Sequence, residues 1–467
     1  MLQTHGLNRR SFLRNAGLTA LAGAAAGSGN PLMAAAAGSA FQVPANGKFD
    51  FDTVYSRFGT RSTKFDRPNR QFGTGSVDVG MGIADIDFRA APCITDALNA
   101  RMKHENWGYL DMDEATPEIL GKVAAWNKKH YGIDIDPNTM VLCAGVHPGI
   151  IAALVTFSPK GSKVLLQTPT YNGFYSDLTA SQTKAEDVPL KFVNGAFAMD
   201  FEEFERRISI DTHSFILCNP QNPTGNCWSA EDLTRIGEIC LRHRVVVLAD
   251  EIHCDWVSKG QKYTPFASLP NKAIVNNSLT FKAASKSFGL AAHKVAWFYS
   301  TNPDLLARVK VNHRADINTM GVIANQAAIT DGEEWLRQAN EYVTGTHDLV
   351  VNYIHDKIPL IKTHRAQGTY LAWLDVTAVA EKINSKQLAA DYNKTKATNL
   401  PALTPEQMVE RFFIKHAKVQ LNQGAGYGTG GANHMRMNIG TSRKLVETAL
   451  NNIANACKSA GTMTNLF

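Results

Sequence analysis

Short, continuously apolar runs separated by amphipathic stretches set the plan of this chain. "MVLC" (140–143), "KVLLQ" (163–167), "SFILC" (214–218), "VVVLA" (245–249) and "VAWFYS" (295–300) have the length and composition of strands. Most lack the alternation of a half-exposed strand, so the pattern predicts strands covered on both faces. Between the third and fourth, "SAEDLTRIGEICLRH" places Leu233, Ile236 and Cys240 three or four apart behind Ser229, a candidate N-cap. "DFEEFERRI" (200–208) reads as a similar helix before "SFILC". Strands alternating with helices predict an α/β core around a mostly parallel sheet.

The end of the chain reads differently. "GTYLAWLDV" (368–376) is a predicted strand, and "PEQMVERFFIKHA" (405–417) and "RKLVETALNNIANACKSA" (443–460) are predicted helices, with the Gly-rich "LNQGAGYGTGGANH" between them. This suggests a smaller α+β domain that shares its core with "DVGMGIADIDF" (78–88). The polar stretch "NKTKATNLPALTP" (393–405) reads as an insertion. The expected organisation is a signal segment (1–40), an N-terminal segment packing with the small domain (41–90), a large domain (91–330) and a small C-terminal domain (331–467).

The first of these segments is an address rather than structure. A basic start, a weak apolar region and small residues have the layout of a signal peptide. "NRRSFLR" (8–14) resembles the twin-arginine signal, which implies export of a folded protein to the periplasm or beyond. The formal net charge of +6 falls to about +3 without Arg9, Arg10 and Arg14. With no basic run interleaved with aromatics, nucleic acid is a poor partner. No stretch approaches the roughly 20 clean apolar residues of a membrane span. The seven cysteines are scattered without a CxxC pair, so they read as buried free thiols, and no metal site is expected.

Four local signals bear chemistry. "CAGVHPGI" (143–150) follows a strand and opens a helix, where backbone N–H groups at Gly145 and Val146 can receive an anion; an ordinary strand-to-helix turn has the same pattern. "NPQNPTG" (219–225) is a stiff loop at the carboxyl end of a strand, where open α/β sheets bind ligands. "ADEIH" (249–253) sets Asp250 at a strand tip, where a buried carboxylate needs a cationic partner or else serves as a cap. "ASKSFGLAAHK" (284–294) places Lys286 among small and apolar residues. An imine with an aldehyde relieves the cost of burying that amine, and Lys294 then pairs with a phosphate; two lysines snorkelling from a loop is the plainer reading.

Together these signals resemble the fold-type-I pyridoxal-phosphate enzymes of the class I/II aminotransferase superfamily, and within it the MalY/PatB-type cystathionine β-lyases. "IADIDF" (83–88), "WGYLDMD" (107–113), "TPTYNGF" (168–174), "YTPFASL" (263–269) and "HMRMNIGTSR" (434–443) carry the subgroup likeness. The resemblance implies a transferase-like large domain, pyridoxal 5′-phosphate as cofactor and a homodimer with shared active sites. It implies that Lys286 forms the imine and moves the Cα proton, that Asp250 pairs with the pyridinium nitrogen, and that Asn222 bonds the ring 3-oxygen. Tyr171 then stacks on the ring. Gly145, Val146, Ser285 and Lys294 hold the phosphate, joined by Tyr109 of the neighbouring subunit. Arg436 clamps the substrate carboxylate. His253 either touches the 3-oxygen or fills the pocket wall. Ala292 and Ala296 stand where glycine is common in the family.

The implied reaction is β-elimination from an S-linked cysteine derivative, giving pyruvate, ammonia and a thiol. Transfer of the amino group to a 2-oxo acid uses the same motifs. A non-catalytic binding module has no evident need of Lys286.

Overall fold

The computed structural model describes residues 47–461; the predicted signal segment lies outside them. Its large sheet comprises β1 (Met140–Cys143), β2 (Lys163–Thr168), β3 (Lys184–Pro189), β4 (Thr212–Cys218), β5 (Val246–Asp250), β6 (Ser278–Lys282) and β7 (Ala296–Tyr299). Their spatial order is β1-β7-β6-β5-β4-β2-β3. All pairings are parallel except those of β7, which runs antiparallel to β1 and β6. Two of these strands, β3 and β6, escape a search for apolar runs, because "KAEDVP" and "SLTFK" are interrupted by polar side chains.

The central strands are buried on both faces, as their unbroken apolar runs predict. Leu165, Phe215, Leu217, Val247 and Ala249 belong to one core. Their neighbours Val164, Leu166, Ile216, Cys218 and Leu248 belong to the other, with α2 (Val146–Phe157) and α3 (Gly173–Ser181). Upstream, α1 (Met112–Tyr131) starts at an Asp111 cap and stops at Gly132, which takes a left-handed φ of 69°. Helix α4 (Ala230–Arg242) is the one anticipated from its spacing. Ser229 and Asp232 cap it reciprocally, and Leu233, Ile236 and Cys240 are buried. All seven cysteines are free and five are buried.

A long helix, α5 (Glu333–Lys357), leads into a four-stranded antiparallel sheet of β8 (Lys362–Thr363), β9 (Leu371–Asp375), β10 (Asn422–Gln423) and β11 (His434–Asn438), ordered β8-β9-β11-β10. Helix α6 (Arg443–Ser459) closes the chain's described part. The predicted helix at 405–417 is regular to Phe412, and Phe413–Ala417 winds as a wider π-helical turn. The polar stretch at 393–405 connects two helices of this unit. Asn393 fastens it through two hydrogen bonds with the Leu403 backbone, at 2.8 and 2.9 Å. Among the described residues no helix is long and apolar enough to cross a membrane.

The segment after residue 77 is sewn into the small sheet region. Val79 and Gly80 pair in parallel with Val419 and Gln420, and Met81 O accepts from Asn438 N at 2.8 Å. A Cβ at Gly80 would stand 2.0 Å from Lys64 O, so only glycine permits this approach. Four charges anchor the segment's end. Fully buried Lys64 bonds Asp87 at 2.5 Å, while Arg57 reaches Asp85 at 2.7 Å and Asp87 at 3.1 Å. This arrangement fixes the 82–85 backbone, which faces the cleft described below.

Removing one member of a buried ion pair strands the other, at a cost of about 3–5 kcal/mol, whereas replacing both with apolar groups is nearly neutral. Asp87→Ala is therefore expected to lower the thermal unfolding midpoint far more than the double change Lys64→Met with Asp87→Leu. Calorimetry on the two variants checks this, and equal losses would contradict it.

Candidate functional site

Parallel strands deliver their carboxyl ends to one edge of the sheet, and the sequence-predicted residues sit there. β1 ends at Cys143 and leads through Gly145 into α2, which begins at Val146. β2 leads to Tyr171, β4 to the 219–225 loop, β5 to Asp250 and His253, and β6 to Ser285 and Lys286. Because β7 is antiparallel, its start lies at the same edge. Ala296 pairs with Cys143, and Lys294 precedes it in a left-handed conformation, φ 54°. One reversed strand thus brings the second lysine of the motif to the end of the sheet that holds the first.

The 219–225 loop is tied down on several sides. Gln221 donates to Gln167 O at 3.0 Å and Pro169 O at 2.9 Å, and Asn219 donates to Thr264 O at 2.9 Å. This holds buried Asn222 with its Oδ1 accepting from Arg436 Nη1 at 3.1 Å. The other Arg436 fork, Nη2, donates to Gly82 O at 2.8 Å, and the guanidinium lies 5.2 Å from the Tyr427 ring centre. Arg436 Nε is buried without a partner among the described residues.

Lys286 is anchored through both its backbone and its side chain. Trp256 Nε1 donates to its carbonyl at 2.7 Å, and its Nζ donates to Ala84 O at 2.7 Å. Tyr370 reaches the same Ala84 carbonyl at 3.2 Å. Burial pushes the Lys286 ammonium down to about 8; Asp85 and Asp250 oppose the shift, while Arg436 and Lys294 reinforce it. Burial acts oppositely on Asp250, raising its carboxyl to about 6. Its Oδ1 accepts from Ile252 N at 3.1 Å, which with His147 and Lys286 limits the rise. Desolvation thus places an amine and a carboxyl within about two units of each other, which is characteristic of a reactive site.

His253 is buried with its ring 5.5 Å from that of Tyr370, and its Nδ1 has no partner among the described residues. Burial holds it well below the usual imidazole range, so it is neutral. Two predicted residues differ from this cluster in facing solvent. Lys294 is exposed, and Tyr109 is fully exposed beside an exposed Trp107. Ser285 is half-buried, with its carbonyl accepting from Leu290 N at 3.1 Å.

Motif reading missed two side chains. His147, second residue of α2, and Asp177, on the buried face of α3 with Phe174 and Leu178, are bonded at 2.8 Å. The only signals are a histidine just after the Gly-Val step and an aspartate on an apolar helix face. Also invisible in sequence are the backbone acceptors of Gly82 and Ala84.

The set fits a phosphorylated aromatic aldehyde. The partnerless polar atoms of Arg436 and His253, the buried Asp250 carboxyl and the lowered Lys286 amine are matched by an anion, a ring substituent, a ring N–H and an aldehyde. The helix start at Gly145 and Val146 suits the phosphate.

Comparison with known proteins agrees. Residues 77–453 match the family described as aminotransferase class I and II. Cystathionine beta-lyase PatB of Bacillus subtilis (strain 168) is 33% identical over 411 residues, spanning 86% of this chain and 98% of that protein. The PLP-bound C-S lyase from Staphylococcus hominis superposes with a TM-score of 0.74 at 25% identity, over 88% of this chain and 99% of that one. Cystalysin from Treponema denticola, which contains a pyridoxal 5′-phosphate cofactor, gives a TM-score of 0.77 at 24% identity over 88% and 99% of the two chains.

An amine reacts in its neutral form, so acetylation of Lys286 in protein prepared without small molecules is expected to accelerate with pH and level off above about 8. Asp250→Ala should shift that midpoint downward, because the Asp250 charge favours the ammonium. Peptide mass spectrometry across a pH series measures this; a midpoint near the free lysine value of about 10.4 contradicts it.

Proposed function

Because the chain belongs to the class I and II aminotransferase family, we propose that it is a pyridoxal-phosphate-dependent carbon–sulfur β-lyase acting on cystathionine-like or S-substituted L-cysteines. The observation that carries this reading is the convergence of Lys286, Asp250, Asn222 and Arg436 at one sheet edge, with Lys286 held at about 8. The lyase names of the relatives support elimination over amino transfer.

Gly145, Val146, Ser285 and Lys294 would hold the cofactor phosphate, with Tyr171 and Asn222 as the residues that would contact its ring. Bound there, pyridoxal 5′-phosphate supplies an aldehyde for the substrate amine and a ring that withdraws the electron pair left on Cα. Asp250, ionised above about 6, keeps a proton on the ring nitrogen. Arg436 receives the substrate carboxylate and so fixes which Cα bond faces Lys286. Lys286, substantially neutral near pH 8, takes the Cα proton. His253, neutral and buried, would either contact the ring 3-oxygen or fill the pocket wall.

Two wider features belong to the same reading. Tyr109, fully exposed, reaches the phosphate of a second copy, so the enzyme works as a homodimer. "NRRSFLR" directs export by the twin-arginine route, which suits a protein that folds around its cofactor before leaving the cytoplasm.

Purified protein supplied with pyridoxal phosphate is expected to release pyruvate and thiol steadily from L-cystathionine and S-methyl-L-cysteine with no 2-oxo acid present. Lys286→Ala should lower that rate by about 10²–10⁴-fold. Turnover only after a 2-oxo acid is added would make the enzyme an aminotransferase instead.

A further inference from the structure

Tyr171 does more than cover a ring. Its hydroxyl lies 3.3 Å from His147 Nε2, and His147 Nδ1 lies 2.8 Å from both oxygens of Asp177. A phenol, an imidazole and a carboxylate in series form the geometry by which a histidine passes protons while a buried acid fixes its tautomer. Here the order of donation is reversed, toward the phenol.

The arrangement is built rather than incidental. Asp177 is 3% exposed, and its carboxylate has no other hydrogen-bond partner among the described residues. His147 keeps 41% of its side chain exposed, so water reaches the ring while Asp177 fixes it. Gly173 makes room for the pair: a Cβ there would stand 2.5 Å from the Tyr171 ring and 2.6 Å from His147 Cε1. Phe174, with its ring centre 5.5 Å away and nearly perpendicular, fixes Tyr171 from the other side.

We propose that Asp177, His147 and Tyr171 form a proton relay that delivers a proton from solvent to the departing sulfur of the substrate. This rests on the lyase reading above and specifies how its leaving group is handled. As the C–S bond breaks, its electron pair goes to sulfur, and the pair freed by loss of the Cα proton forms the Cα–Cβ double bond. The Tyr171 hydroxyl gives its proton to sulfur, and His147 Nε2–H restores it. The imidazole, held by Asp177 through Nδ1–H, recovers its proton at Nε2 from water that reaches the partly exposed ring. Tyr171 is the catalytic residue of the relay; His147 and Asp177 are positioning residues that act through it.

Relative acidity explains why a phenol alone is insufficient. Free thiols ionise near about 8.5, phenols near about 10 and imidazolium near about 6.5, so transfer from tyrosine to a thiolate runs uphill and transfer from imidazolium runs downhill. Burial raises Tyr171 further. His147 is raised by its hydrogen bond to Asp177, and the Asp250 charge also favours its protonated form, while Lys286 opposes it. Burial raises the Asp177 carboxyl while His147 pulls it down.

The test compares leaving groups. S-methyl-L-cysteine expels a thiolate that needs a proton, whereas 3-chloro-L-alanine expels chloride, which does not. In the holoenzyme, Tyr171→Phe and His147→Gln are each expected to lower the ratio of the first kcat to the second by at least about tenfold, within the usual range for general acids. The double variant should lower it no further, as for groups acting in series. The second readout needs no turnover. In cofactor-free protein, the His147 imidazole followed by NMR should titrate at lower pH in Asp177→Asn than in wild type. Unchanged ratios, additive losses or an unmoved His147 titration overturn the relay while leaving the lyase reading standing. No pyruvate from either compound with the wild-type enzyme overturns the lyase reading and the relay with it.

Discussion

The cleft depends on a guanidinium taken almost entirely out of water. Arg436 is 2% exposed, and burying such a charge costs several kcal/mol unless its donors are satisfied. Its two forks are satisfied by Gly82 O from the N-terminal segment and Asn222 Oδ1 from the loop after β4 of the large sheet, while the residue itself belongs to β11 of the small sheet. One side chain therefore binds three distant parts of the sequence. Its Nε remains without a partner among the described residues, so a buried cation is left incompletely matched where the proposed function seats a substrate carboxylate.

The same economy of water governs the reacting groups. Desolvation lowers Lys286 to about 8 and raises Asp250 to about 6, so each is drawn toward neutral pH without a strong direct ion pair between them. The Lys286 amine is held instead by a backbone carbonyl, that of Ala84, which cannot take its proton. Arg57, Lys64, Asp85 and Asp87 hold that carbonyl's segment in place. Stability spent on buried charges is thus converted into a positioned amine, a proton acceptor at moderate pH.

Much of this was legible in the sequence because the chemistry follows strands. The apolar runs at 140–143, 163–167, 214–218 and 245–249 became β1, β2, β4 and β5, and the motif residues lie at their ends. The Ser229 cap and the spacing of Leu233, Ile236 and Cys240 appeared as read. What escaped was non-local or polar. β3 and β6 carry charged side chains inside buried or edge positions, and the reversal of β7 depends on neighbours that local pattern does not encode. His147 and Asp177 are separated by 30 positions and meet only because α2 and α3 pack side by side. The acceptors at Gly82 and Ala84 are backbone atoms, which no residue type announces. The exposed Tyr109 shows the remaining gap, since its proposed partner lies on another copy of the chain.

The most direct test of the account concerns the Cα proton itself. L-Alanine has no leaving group at Cβ, so in D₂O the loaded enzyme can only exchange its Cα hydrogen, which NMR follows as loss of that signal. The account predicts steady exchange by the wild type and essentially none by Lys286→Ala, with cofactor content of both verified. Exchange at an undiminished rate in Lys286→Ala would show that another group moves the proton and would contradict the central role given to the Lys286 amine.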